Sequence, residues 1–371
     1  MSLRKKLRKI QGFDGLSRIG PALRSRWRIR RRLKRFAPLM APGRYLLQWN
    51  LACRELAPGE SPSAIRATFV THNHDPHPVY RLVECLPPRR HSIPADIGAS
   101  DDASAGDVLL MRGYATLILT RDGHHIIRTF ETAERAQNLV DNAAHLRHWL
   151  RVPAIEPFDS GLPGIHAVRE SLIAGTMIRH GDSGENARGY RDFIGQCQAH
   201  AQAASGRFAR EADIDRLLAS SLPRWLAAAL AANAAAIKEI LADAPMLFSH
   251  GDCHPGNLIV QSDGTAALID LERAEWLPFF FDPLYILRMQ DPACADLRER
   301  YLAGEFDEPL GHVWRAAGRA FDPEQRVNYL LCVSIAHALR RQYADKGTQE
   351  QVRKLGNSSR ALKACLAPDS A

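Results

Sequence analysis

The spacing of hydrophobic residues changes along the chain. Between residues 45 and 172, apolar positions alternate with polar ones or form short runs bounded by proline, glycine and histidine. Such runs predict β-strands. Beyond residue 190, apolar positions recur every three or four residues in alanine-rich stretches, which predicts helices. We therefore predict an α+β fold with a small β-rich amino-terminal part and a mainly helical carboxyl-terminal part.

The predicted strands are separated by residues that favour turns. Gly113 and Gly123 each lie between two apolar runs, as expected for hairpins. A helix is predicted over 133–150, where leucine, valine and alanine form one apolar stripe. The predicted strands are 45–56, 64–71, 79–86, 108–111, 115–120, 124–130, 153–159 and 165–172.

Four polar residues form the most informative pattern. His250, Asp252 and Asn257 have the spacing H-x-D-x-x-x-x-N, and Asp270 follows after a turn at 262–264 between two short apolar runs. Asn257 and Asp270 are therefore predicted to flank one two-stranded ribbon. The Asp252 carboxylate can orient a hydroxyl and take its proton, whereas Asn257 and Asp270 offer the hard oxygen ligands that Mg²⁺ prefers. These groups suit phosphoryl transfer from a magnesium nucleotide.

The same residues carry a resemblance to a known family. His250-Gly251-Asp252, Pro255-Gly256-Asn257 and Ile269-Asp270 resemble the catalytic loop and the metal-binding aspartate of the aminoglycoside phosphotransferase-like family. Asp282 matches a second aspartate often found there, whereas Leu271 stands where the family usually has an aromatic residue. The resemblance implies a two-lobed protein-kinase-like fold, ATP and Mg²⁺ as cofactors, and transfer to an alcohol group. It also implies that Asp252 is catalytic and that Asn257 and Asp270 are metal ligands.

The resemblance extends less completely to the residues that would bind the nucleotide. It places the phosphate-covering hairpin at Gly113, the only glycine of that turn, and the adenine-binding hinge at Glu170 and Leu172. Family members usually carry a lysine on the third strand, but residues 35–237 contain none. Arg128 is the candidate substitute, paired with Asp141 on the following helix. The alternative for Arg128 is a solvent-facing strand residue.

Composition and length define the expected regions. The chain has 371 residues, of which 46% are hydrophobic and 24% charged, enough for a large core. We predict a basic arm at 1–36, a small β-rich region at 37–106, an amino-terminal lobe at 107–173 and a helical lobe with the catalytic loop at 174–371. Seven scattered cysteines without a CxxC pair, and no visible secretory signal or membrane span, favour a cytoplasmic protein.

The predicted arm differs in charge from the rest of the chain. Residues 1–36 hold 14 Lys or Arg and one acidic residue, whereas the whole chain carries +8. Apolar residues recur there at helical spacing, so the arm is predicted to be basic and amphipathic. We favour peripheral contact with an anionic membrane over a solvated helix packed on the enzyme. Nucleic acid is disfavoured because interleaved aromatic residues are lacking.

The sequence also bears on the compound that would accept the phosphoryl group and on two alternative functions. A small-molecule or sugar hydroxyl is expected, with a membrane-borne or lipid-linked sugar favoured by the arm. An aminoglycoside-like cation is disfavoured because 25 acidic and 22 basic residues follow Ala174, which is no clear acidic excess. The missing lysine leaves a catalytically silent kinase-like scaffold as one alternative. A metal hydrolase built on the cluster at 72–77 is the other, although a turn explains the same residues.

Overall fold

The structure is a computed structural model that describes residues 27–47, 51–56, 66, 92–97, 104–112, 115–208 and 210–366. The chain divides into two compact units. The first comprises the residues up to Val140 together with Ala154–Leu172, and the second comprises Asp141–Pro153 together with the residues from Ile173 onward. The predicted β-strands near residues 64–71 and 79–86, Gly113 and the histidine cluster at 72–77 lie outside the described residues, apart from Arg66.

The first unit is built on one eight-stranded antiparallel sheet. The strand order is β3-β1-β2-β4-β5-β6-β8-β7, so sheet pairing continues across residue 106. The strands are β1 (Gly43–Leu47), β2 (Leu51–Arg54), β3 (Ser92–Ile97), β4 (Gly106–Arg112), β5 (Ala115–Thr120), β6 (His125–Phe130), β7 (Ile155–Phe158) and β8 (His166–Ser171).

Both faces of this sheet contribute to apolar clusters, which explains why strand β5 is buried throughout. Because side chains alternate along a strand, Ile118 joins one cluster and Leu117 joins the other. A helix over residues 27–35, α1, adds Ile29 and Leu33 to the cluster that contains Ile118. The apolar stripe of this part of the predicted arm is therefore buried in the protein core, while its arginines remain at the surface.

One helix follows strand β6, as the sequence predicts. Helix α2 spans Ala133–Leu146 and is followed by a turn, so it ends before the predicted residue 150. Its residues to Val140 belong to the first unit, and those from Asp141 belong to the second. The α+β class predicted from residue spacing is confirmed, with a β-rich first unit and a mainly helical second unit.

The second unit consists mainly of helices joined by short strands. Strands β9 (Thr176–Met177), β11 (Leu258–Val260) and β12 (Ala266–Leu268) form one sheet, and β10 (Met246–Ser249) pairs with β13 (Glu275–Pro278). The helices are α3 (Ser183–Ala201), α4 (Glu211–Leu218), α5 (Arg224–Ala232), α6 (Ala234–Ala242), α7 (Phe281–Tyr285), α8 (Pro292–Leu302), α9 (Asp307–Ala316), α10 (Arg326–Ala338), α11 (Arg341–Ala344), α12 (Thr348–Ser358) and α13 (Lys363–Leu366).

Local sequence explains the start of α3, the longest helix among the described residues, and its attachment to the unit. Asp182 caps α3, because its side chain accepts a hydrogen bond from the Glu185 backbone N–H at 2.8 Å. Within α3, the Tyr190 hydroxyl donates to the Pro283 carbonyl oxygen at 2.6 Å. This hydrogen bond ties α3 to the start of α7, the short helix that follows the predicted catalytic segment.

The described helices differ in length and hydrophobicity, the two properties that a membrane span requires. No single helix among them is both long and apolar enough to cross a membrane. The pair α5 and α6 meets the length and composition requirements together, but a 69° bend separates the two helices.

Candidate functional site

The candidate site lies in the second unit, on the loop between β10 and β11 and on the ribbon that follows. Strands β11 and β12 pair antiparallel, with Leu258 opposite Leu268. The Ile269 N–H then donates to the Asn257 carbonyl oxygen at 2.9 Å. Because Asp270 follows Ile269 directly, Asn257 and Asp270 lie at the same end of the ribbon, as the sequence predicts.

Asp282 holds the beginning of the loop through two backbone hydrogen bonds. Its carboxylate accepts the His250 N–H at 2.6 Å and the Gly251 N–H at 2.9 Å. Asp282 is buried, and its charge makes these hydrogen bonds stronger than bonds between neutral groups. The second aspartate noted in the sequence therefore anchors the loop rather than facing solvent.

His250 links the loop to the ribbon through both of its ring nitrogens. The Asp252 N–H donates to its Nδ1 at 3.2 Å, so Nδ1 is an acceptor and the ring proton is on Nε2. Nε2 then donates to the Ile269 carbonyl oxygen at 2.9 Å, linking the loop to the ribbon. The neighbouring Cys253 is fully buried, and burial together with Asp282 raises the pKa of its thiol, which disfavours the reactive thiolate.

The Asp252 carboxylate is oriented by two side chains. Its Oδ1 accepts a hydrogen bond from the Tyr285 hydroxyl at 3.1 Å, and its Oδ2 lies 3.5 Å from the Arg273 Nε. Burial raises the pKa of Tyr285 to about 12, so the phenol remains a donor at neutral pH. Arg273 places a positive charge beside the Asp252 carboxylate. The site therefore holds a fixed, charged oxygen acceptor.

Asn257 and Asp270 fit the chemistry of a magnesium site. The Asn257 Nδ2 donates to the Asp252 carbonyl oxygen at 3.0 Å, which fixes the amide and leaves its Oδ1 as the group suited to a metal. Asp270 supplies a carboxylate at the same end of the ribbon. Mg²⁺ typically takes one or two protein oxygens and completes its shell with water and phosphate, so this pair fits. No group of three or more His, Cys, Asp or Glu that could hold a metal occurs in the described ranges.

The backbone at Asp270 is unusual. Its φ of 68° and ψ of 60° are left-handed, and it is the only non-glycine residue with positive φ among those the structure describes. Aspartate tolerates this conformation better than most residues, at a modest energetic cost. The Asn142 side chain, from the end of α2, donates to the Leu271 carbonyl oxygen at 2.9 Å and supports the turn.

Three of the residues predicted to bind the nucleotide lie on or next to strands β6 and β8 of the first unit. Arg128 is only 7% exposed, so the alternative of a solvent-facing strand residue is wrong. Its Nη2 contacts the Glu170 Oε2 at 3.1 Å on the adjacent strand. The Leu172 N–H donates to the His124 carbonyl oxygen at 2.8 Å and is thus already used within the first unit. The pairing of Arg128 with Asp141 stays a prediction.

Three site residues were not identified from the sequence. Tyr285 and Arg273 contact Asp252, whereas the buried Arg340 holds the backbone beneath it. Arg340 contacts the Gly251 carbonyl oxygen and the Glu275 carboxylate, and its Nη2 donates to the Arg273 carbonyl oxygen at 2.7 Å. No spacing pattern links Arg340, which lies between α10 and α11, to this loop. Tyr285 and Arg273 did lie near the motif, but nothing in their spacing indicated contact.

Comparison with known families assigns the class of protein. Residues 112–317 match the family model described as "APH: Phosphotransferase enzyme family", which is more than half of the chain. The match and the loop together define a phosphotransferase-type protein. The chain belongs to the phosphotransferase enzyme family, and the resemblance identified from the loop is confirmed. No curated protein matches the chain in sequence.

Several solved structures resemble the chain at low identity. Aminoglycoside phosphotransferase APH(3'')-Id from Streptomyces rimosus is 13% identical, over 67% of this chain and 92% of that one, with a TM-score of 0.40. An aminoglycoside phosphotransferase from Alicyclobacillus acidocaldarius is 15% identical, over 70% and 90%, with a TM-score of 0.36. A thermostable mutant of APH(4)-Ia is 16% identical, over 69% and 94%, with a TM-score of 0.44. The assignment rests on the family match.

We expect Gly251 to be required for the loop conformation. Its φ is +75°, and a Cβ there would lie 2.6 Å from the Arg273 carbonyl oxygen. Gly264 has a similar φ of +84° but nothing within 4 Å of a Cβ, which makes it a matched control. Urea unfolding should show a loss of about 1 kcal/mol for Gly264→Ala and at least about 3 kcal/mol for Gly251→Ala. Equal losses would contradict a tight approach of the two backbones.

Proposed function

We propose that the protein transfers the γ-phosphoryl group of ATP to a hydroxyl of a small molecule or sugar. The observation that carries this proposal is the oriented Asp252 carboxylate, on the same loop and ribbon as Asn257 and Asp270. Family membership supports the reaction class. Fold alone does not specify an acceptor, so the acceptor has to be inferred from the site.

Each residue of the site has a distinct proposed role. Asp252 accepts a hydrogen bond from the acceptor hydroxyl and takes its proton, while Tyr285 and Arg273 keep the carboxylate oriented. Asn257 and Asp270 would hold Mg²⁺, which neutralises phosphate charge when it is bound. Catalysis then depends on positioning and charge neutralisation, because phosphoryl transfer requires little covalent help from the protein.

The proposed nucleotide contacts in the first unit are less complete. Arg128 would bind phosphate oxygens in place of the usual lysine, and its ion pair with Glu170 would fix the guanidinium. Gly113 and the backbone near Leu172 remain the predicted phosphate and adenine contacts. Asp141 remains the predicted second partner of Arg128.

Substitution of Asp252 tests the proposed reaction. Asp252→Asn keeps the shape but cannot take a proton, so transfer from γ-labelled ATP to a panel of sugars and amino alcohols should slow by about 10²- to 10⁴-fold. ATP binding in the presence of Mg²⁺ should be retained. Asp263→Asn, on the exposed turn of the ribbon, is the matched control and should react normally.

Two outcomes would favour the alternatives. The silent scaffold would be supported if the wild type binds ATP and Mg²⁺ but transfers phosphate to no compound in the panel. It would also be supported if the wild type and Asp252→Asn transfer phosphate at the same rate. Stoichiometric zinc in the purified protein, lost on substitution of His72 and His74, would support the metal hydrolase instead.

The membrane hypothesis also remains a proposal, in a narrower form. The apolar stripe of α1 is buried, so contact by this helix would depend on its exposed basic face and on Trp27, which is 63% exposed. The Arg31 guanidinium lies 5.5 Å from the Trp27 ring centre, within reach of the same surface. If this contact forms, the protein would lie peripherally on the cytoplasmic face of a membrane. Its acceptor would then be a lipid-linked sugar.

Vesicle binding tests this membrane contact. Each cation near an anionic surface contributes about 1 kcal/mol, so replacing Arg28, Arg31 and Arg35 with Gln should weaken binding to phosphatidylserine vesicles about 100-fold or more. A control protein with Gln at the exposed Arg224, Arg315 and Lys346 should bind like the wild type. Equal binding by both variants would exclude a specific role for the basic face of α1.

A further inference from the structure

One buried arginine beside the candidate site has no acidic partner within ion-pair distance among the residues that the structure describes. Arg288 ends the 3₁₀ turn Ile286–Arg288 after α7 and is only 4% exposed. Among the described residues, no carboxylate lies within 4.0 Å of its nitrogens, and its Nε has no hydrogen-bond partner. Burial of a cation without a paired anion is costly unless another group compensates it.

The Tyr285 hydroxyl and the Asp252 carboxylate partly offset the burial of Arg288, whereas its other charged and titratable neighbours do not. Arg340, which also carries a positive charge, is engaged by Glu275 and by backbone carbonyl oxygens. Burial, with the positive charges of Arg288 and Arg340, lowers the pKa of His337 well below its usual range, so this residue is neutral at pH 7. The buried His337 Nδ1 also has no hydrogen-bond partner in the described part of the chain.

Arg288 lies close to the proposed catalytic carboxylate. Its Cζ is 3.9 Å from the centre of the Tyr285 ring, and the hydroxyl of the same ring donates to the Asp252 Oδ1 at 3.1 Å. The His337 ring centre is 5.6 Å from that of Tyr285. Arg288 and His337 are therefore separated from Asp252 by about the width of one tyrosine side chain.

We propose that Arg288 and His337 bind an oxyanion carried by the acceptor, a phosphate or a carboxylate, while Asp252 binds its hydroxyl. This inference rests on the proposed function and narrows the acceptor to anionic hydroxyl compounds. The planar guanidinium suits both oxyanions, because its parallel N–H groups match two oxygens. Arg273, which is half exposed next to Asp252, adds positive charge beside the proposed catalytic carboxylate. A polycationic acceptor would be repelled by these arginines.

Sulfate provides a minimal probe of this anion site. With saturating AMP-PNP and Mg²⁺ to occupy the nucleotide site, sulfate should raise the Tm of the wild type above that in chloride of equal ionic strength. Arg288→Met should lose this difference. Calorimetry under the same conditions should show glucose 1-phosphate or glucuronate binding about 10- to 100-fold more tightly than glucose, with the preference lost in Arg288→Met. The tighter of the two identifies the oxyanion as phosphate or carboxylate.

Stability of the variants separates a binding role from a structural one. Arg288→Met replaces an unpaired buried charge with an apolar chain of similar length, so its Tm without ligand should equal or exceed that of the wild type. Arg340→Met is the contrast, because it removes a paired arginine and should lower the Tm. Arg288→Lys keeps the charge but loses the planar fork, and should bind anions with intermediate affinity.

Three results would overturn the inference. These are a lower Tm for Arg288→Met without ligand, a sulfate effect that survives this substitution, and no preference of the wild type for either anionic sugar over glucose. AMP-PNP binding is measured first in the same experiment. Its failure would overturn the proposed function itself, whereas normal AMP-PNP binding without an anion preference would overturn only the acceptor class.

Discussion

The Asp282 carboxylate is the group on which the geometry of the site depends. It accepts two consecutive backbone N–H groups, from His250 and Gly251, and so fixes the chain just before Asp252. The left-handed conformation of Gly251 then turns the loop, and His250 connects it to the ribbon that ends in Asp270. Buried backbone amides without such an acceptor would be costly, so the loop conformation and the burial of Asp282 require each other.

Three arginines around Asp252 have different environments and are therefore suited to different roles. Arg340 is held by Glu275 and by backbone carbonyls, which makes it part of the scaffold. Arg273 faces the Asp252 carboxylate and is half exposed, so it is suited to orient that group at the solvent side. Arg288 is buried without a carboxylate among the described residues, which is the feature expected of a group that awaits an anionic ligand.

Local features of this chain could be predicted from its sequence, whereas contacts between distant residues could not. The ribbon was predictable because a turn separates two short apolar runs, and this placed Asn257 and Asp270 together. Burial of the α1 stripe on the sheet could not be predicted, since an amphipathic pattern shows which face of a helix is apolar but not what covers it. The partner of Arg128 was missed for the same reason, because Glu170 comes from a strand that pairs with β6 only in the folded sheet.

The measurement that tests the account most directly is calorimetric binding of ATP with and without Mg²⁺, to the wild type and to Asp270→Asn. Asparagine tolerates the left-handed backbone at this position, so the substitution removes charge while preserving the turn. The account predicts magnesium-dependent binding by the wild type and loss of the magnesium dependence in the variant, with an unchanged Tm. Binding of ATP that is indifferent to Mg²⁺, or that the substitution leaves unchanged, would contradict a metal-assisted phosphotransferase site.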